Sequence, residues 1–209
     1  MNKAQRTPVV PLEAGSSPDN PPCPACGEPL FGWIGASPGM SGSISRCESC
    51  GLGVVGEPGD AAEALHELDR HGVDGSVRIS NRASVASALG SGGWAGLEPG
   101  ARYLFSVESV RRLVAVRDQV VTTGRWAPLA GLASMWQTML NSLTFGRNIA
   151  LGALGRGAAV PAPERWQRRI DGLISIVLAI PALVVALPLE IGGAAMRRGA
   201  VVSLRLQLL

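Results

Sequence analysis

The sequence predicts an α+β fold with three parts. These are a small cysteine-bearing unit near the N-terminus, a small mixed sheet of about three strands with helices, and an apolar helical segment near the C-terminus. Three observations predict it. All four cysteines fall between positions 23 and 50, as two Cys-x-x-Cys pairs. Short segments with strand alternation and helix periodicity follow one another through residues 60–125. Gly172 to Leu189 is then an eighteen-residue run without a charge.

The chain has 209 residues, room for one ordinary domain or two small ones. Glycines number 27 and prolines 15, while aromatics make up 4%, so an ordered but loop-rich chain with few large anchors is expected. The net charge is +3 and the arginines are scattered, so the clustered basic face of a nucleic-acid module is not expected. Residues 1–21 read as a disordered Pro-rich lead-in without the apolar run of a secretory signal.

Residues 22–56 carry the first signal. "CPAC" and "CESC" each close on a glycine, Gly27 and Gly51, which lets the chain turn back past a bound ion. Paired thiols at this separation suit tetrahedral zinc, with Cys23, Cys26, Cys47 and Cys50 as ligands, and a reducing cytoplasm would keep them as thiols. Four thiolates leave no open position, so the expected metal is structural. Gly51 to Gly56 also spell G-x-G-x-x-G. A nucleotide loop should follow a buried strand and open a helix, however, and neither neighbour fits. The glycines read as turn punctuation around an exit strand, Leu52 to Val55.

"DAAEALHELDR" predicts a helix opened by Asp60, with Glu63 completing a capping box. "DGSVRIS" alternates Val77 and Ile79 with polar neighbours, as a half-buried strand does. A Gly-rich connection holding Trp94 follows. "FSVESVRRLVAV" is a helix with Ser106 at its N-cap, and "DQVVTT" is a second strand. "MWQTMLNSLTFGRNIALGAL" reads as helix interrupted at Gly146, within a helical, apolar region over 126–198. Residues 199–209 close the chain as a strand.

The phrases "RCESCGLGVV", Ser80-Asn81, Trp94, "LFSVES" and "MWQTMLNSLTFGRN" together resemble class I S-adenosylmethionine-dependent methyltransferases with an N-terminal zinc ribbon. The resemblance implies a ribbon over 22–56 and a residual methyltransferase-like α/β region over 60–125. Where that family often has a His before the Leu-Phe phrase, this chain has Arg102 and Tyr103. The family's seven-stranded fold needs about 100 residues between the ribbon and the strand at Ser76, where this chain has 20. The resemblance therefore implies the last three strands, one of them antiparallel, without the half that binds the cofactor. S-adenosylmethionine is not expected to bind this chain alone, and no catalytic or cofactor-binding residue is assigned. A protein partner supplying the missing half is one expected partner.

His66 and His71 read as a helix-surface residue and a helix-end residue, and Ser80, Asn81 and Ser84 lie near a strand end without an identifiable base. Gly172 to Leu189 leaves three readings open: a membrane-associated helix or bent hairpin, a single span, or a buried helix. A straight helix of that length covers about 27 Å, just short of a bilayer core. Pro181 and Pro188 each remove a backbone donor from it, and arginines flank both ends. The expected location is cytoplasmic, at a membrane if either of the first two readings holds. A non-enzymatic, membrane-associated zinc-ribbon protein acting as a binding or adaptor module is the alternative function.

Overall fold

A computed structural model describes residues 20–35, 40, 42–73, 75–156 and 158–208, so most of the Pro-rich lead-in lies outside the described residues. In chain order the first elements are β1 (Leu30–Ile34), β2 (Ile44–Cys47), β3 (Gly53–Val55), α1 (Ala61–Asp69), β4 (Gly72–Val73), β5 (Ser76–Ser80) and α2 (Val85–Gly90). After a 3-10 turn at Ser91–Gly93 come β6 (Tyr103–Leu104), α3 (Val107–Ala115), β7 (Gln119–Trp126) and α4 (Pro128–Asn141). The last are α5 (Ile149–Ala153), α6 (Arg165–Val177), α7 (Ala179–Ala195) and β8 (Val201–Leu208).

The strands form two four-stranded sheets, β1-β2-β3-β6 and β4-β5-β8-β7, and every bonded pair is antiparallel. The α+β class stands, with a correction to the second sheet. It was expected as mixed, with about three strands. It has a fourth short strand, and β8 lies between β5 and β7 antiparallel to both, so no parallel pair is bonded. Val77 and Ile79 are buried and Arg78 is exposed, as the alternation requires. They face Leu204 and Val202 of β8 in register.

The first sheet takes its fourth strand from Tyr103–Leu104, far along the chain. Gly53 faces Leu104 there, and a Cβ on Gly53 would lie 3.1 Å from the Leu104 side chain. That close approach explains a glycine inside a strand. One apolar core runs from the cysteines through Leu52 and Val54, past Leu65 and Leu68 of α1 and Val110 and Leu113 of α3, to Val202 and Leu204 of β8.

Helix starts follow local chemistry. Asp60 accepts from the Glu63 amide at 2.8 Å, so α1 opens where expected. The capping box is only half formed, because the Glu63 carboxylate binds Arg102 and the Tyr103 hydroxyl instead. Ser106 and Ser109 form a reciprocal capping box on α3. The Gly-rich connection holds a helix not expected there, α2, capped by Ser84. Strand β7 runs to Trp126, three residues past the expected end.

The helix before Gly146 begins earlier than expected, with Pro128 in the first turn of α4, where its missing N–H leaves no bond unmade. The break after α4 is wide, and Gly146 sits inside it where a Cβ would meet the Val160 carbonyl at 2.7 Å. The apolar run is divided as well. α6 and α7 meet at Leu178 with a bend of 61°, and neither is long and apolar enough by itself to cross a membrane. Pro181 accounts for the division, since its ring would collide with the Val177 carbonyl if α6 continued.

Candidate metal centre

Two turns of the same shape build the centre. The Gly27 amide donates to the Cys23 carbonyl at 2.8 Å, and the Gly51 amide donates to the Cys47 carbonyl at 2.9 Å. Both glycines have φ in the left-handed region, +77° and +74°, where a side chain is disfavoured. The β1–β2 pairing then sets Leu30 against Cys47 and brings the two turns together. Cys23, Cys47 and Cys50 are buried and Cys26 is half-buried.

The four sulfur atoms all lie within 4.8 Å of one another, with Cys23 and Cys50 at 3.6 Å and Cys26 and Cys47 at 3.5 Å. Metal–sulfur bonds of about 2.3 Å in a tetrahedron place the sulfurs about 3.8 Å apart, so the cluster has the size of a metal site. Bare thiols this close work against one another. A hydrogen shared with Cys50 holds Cys23 down to about 5. That same bond and burial push Cys50 up, and burial leads the rise of Cys47. A divalent cation among them would supply the charge that lets all four become thiolates. The donor set is compatible with zinc.

The centre is tied to α3. The Ser106 hydroxyl donates to the Cys50 carbonyl at 2.5 Å while accepting from the Ser109 amide at 3.0 Å. A Cβ on Gly51 would lie 3.3 Å from the same side chain. Arg112 of α3 bonds Ser49 at 3.2 Å and lies beside Cys26, with Glu108 as its ion-pair partner. The helix N-cap, the second turn and the cysteine cluster thus form one connected unit.

The other residues weighed in the sequence are not brought together into a reactive group. His66 is exposed on α1, and the His71 ring meets Phe105 edge-on with centroids 6.3 Å apart. The Asn81 side chain donates to the Gly199 carbonyl and accepts from the Ala83 amide, and Ser84 caps α2. Ser80 opens on a cavity of about 470 Å³ beside β5, together with His71, Ile79, Tyr103, Phe105 and Asn148. Gly51 lies in the second cysteine turn and Gly53 inside β3, so the G-x-G-x-x-G phrase forms no loop leading into a helix.

Polar groups that the sequence reading passed over hold the helical region. Gln137, Asn141 and Asn148 form a buried chain of hydrogen bonds that also reaches the Gly93 and Ala95 carbonyls. Gln137 and Asn141 sit four apart on α4, a spacing that marks a shared helix face and was the available signal. Asp171 of α6 is fully buried and accepts from the Phe145 and Gly146 amides, each at 2.8 Å. Glu190 of α7 is buried and accepts from the Ala200 amide at 3.0 Å, and burial pushes its carboxyl above the ordinary range.

No family model matches the chain, and no curated protein or solved structure matches it either.

Proposed function

We propose that the chain is a non-catalytic relative of class I S-adenosylmethionine-dependent methyltransferases, stapled by one structural zinc in an N-terminal ribbon. The observation that carries this reading is the direction of three strands. β5 and β7 run the same way and β8 lies between them in the opposite sense, which is the arrangement implied for the last three strands, one of them antiparallel. The four cysteines support the zinc ribbon by their spacing, their paired turns and their sulfur separations. With four thiolate ligands the metal has no open position, so its part is to hold the fold.

The outer side of β5 pairs with β4 at Ser76 and Val77, while Ile79 and Ser80 beyond that pairing line the cavity. A partner chain carrying the missing half would add at this edge, because consecutive elements of a sheet tend to be neighbours. On this reading the chain alone does not hold S-adenosylmethionine. Calorimetric titration of the purified chain with S-adenosylmethionine should give no saturable heat. A micromolar dissociation constant would overturn the reading.

A second reading, a non-enzymatic adaptor module, is favoured by one observation: α6 and α7 turn apolar side chains outward.

A further inference from the structure

The α6–α7 pair is built inside out for a helix on a protein surface. On α6, Trp166, Ile170, Leu173 and Val177 recur at helical spacing and are all exposed, Leu173 by 63%. Asp171, on the opposite side, is the buried residue of that helix. On α7, Ile180, Val184, Leu187 and Ile191 form a second exposed stripe, with Ile180 at 74% and Val184 at 67%. The buried side of α7 holds Ala182, Ala186, Gly193 and Glu190. An ordinary amphipathic surface helix has apolar residues inward and charges outward. Here two carboxylates point inward onto backbone amides and the aliphatic side chains point out.

We infer that this outward face lies in the surface of a lipid bilayer containing anionic headgroups. Charge complementarity selects that occupant. Arg165, Arg168 and Arg169 stand exposed at the start of α6, and Arg197 and Arg198 stand exposed just after α7. Among the described residues from 160 to 200 the acids are Glu164, Asp171 and Glu190. The last two are buried, and Glu164 is bonded to the Trp166 indole. The apolar face is therefore positive at both ends. A second copy packed across a two-fold axis would set arginine ends against arginine ends. An anionic lipid surface complements both ends at once, with the arginine stems lying along the apolar layer and their heads at the phosphates. Trp166, at the arginine-rich end, suits the boundary between headgroups and acyl chains.

The geometry also sets the depth. α7 has 17 residues, about 25 Å of helix, and the 61° bend denies the pair a straight crossing. Both ends return to the same body of the protein. α6 follows the bridge between Arg147 and Val160, and α7 leads into β8 within the second sheet. The pair lies along the interface, as surface-bound amphipathic helices do.

The inference uses only α6 and α7 and stands apart from any relation to methyltransferases, so vesicle binding and cofactor titration can fail independently. The test is co-sedimentation of the full chain with vesicles of phosphatidylcholine alone, or with roughly a third phosphatidylglycerol, at low and high salt. Binding to the phosphatidylglycerol vesicles should be at least about tenfold tighter and should weaken with salt. The pair Ile180→Glu and Val184→Glu, both at exposed positions, should lose that binding with circular dichroism unchanged. Arg168→Gln with Arg169→Gln should remove the preference for anionic lipid. A chain that stays monodisperse without detergent and binds neither vesicle overturns the inference. So does a dimer that ignores vesicles and is split by Val184→Glu, which would assign the face to a second copy.

Discussion

Among the described residues from 22 to 55, every Leu, Ile, Val, Phe, Trp, Met and Cys is buried or half-buried; from Ile170 to Ile191 most Leu, Ile and Val side chains are exposed. The first region is the poorer in large side chains and yet hides them all. It can do so because the two cysteine turns meet in a cluster that could hold a metal ion, and because Tyr103–Leu104 and α3 close over it. The second region is rich in aliphatic residues and is attached from within by Asp171 and Glu190, through hydrogen bonds to the backbone. Apolar content by itself therefore does not set what is buried. The decisive quantity is what holds each segment to its neighbours.

The largest effect expected is on the cysteine side of this contrast. Cys47→Ser, or exhaustive chelation, should take the bound metal from one equivalent to none and expose the amides of β1, β2 and β3 to exchange. Metal binding supplies on the order of 10 kcal/mol in small four-ligand domains, far more than one side-chain contact. Elemental analysis with hydrogen exchange measures both. Chelation should leave the amides of α4 and α7 protected, and a global loss of protection would erase the distinction between the regions.

A medium effect is expected from Asp171→Ala, which strands the buried Gly146 amide and the part-buried Phe145 amide. The loss should be about 3 kcal/mol by urea unfolding, with the metal content unchanged. Hydrogen exchange should then rise at Phe145 and Gly146 and not at β1–β3. If the first sheet loosened as well, the two regions would share one cooperative unit.

The smallest effect concerns Glu190. Burial raises its pKa when folded, so the folded state holds its proton to higher pH than the unfolded state does. Its contribution is full below the unfolded pKa and is lost as pH rises through the folded one. Glu190→Gln still accepts from Ala200 and cannot ionise. It should match the parent at acidic pH and exceed it at neutral pH. Urea midpoints at the two pH values decide it, and an equal or lower neutral midpoint would show that the carboxylate is needed as a charge.

Much of the candidate site was legible in the sequence because its signals are local. The cysteine spacing and the trailing glycines describe two turns, and each turn closes on itself before any tertiary contact is needed. Asp60 and Ser106 mark helix starts for the same reason, since a cap bonds an amide three residues away. The alternation at Val77 and Ile79 marked β5, because a sheet with one covered face imposes a period of two.

Other features were decided only when distant segments met. Tyr103–Leu104 is too short to show a period, and it became a strand because β3 offered a free edge. The placing of β8 between β5 and β7 rests on pairings more than 75 residues apart. The apolar run shows the same division most clearly. Apolar residues surround α7 on every side, so no periodicity says which side faces in, and only Glu190, Ala186 and Ala182 packing inward turned the larger aliphatic residues out. Sequence determined the caps, turns and alternation, whose energies lie within a few residues of one another. Tertiary structure decided strand order and the facing of helices, because those energies come from surfaces that the chain brings together only on folding.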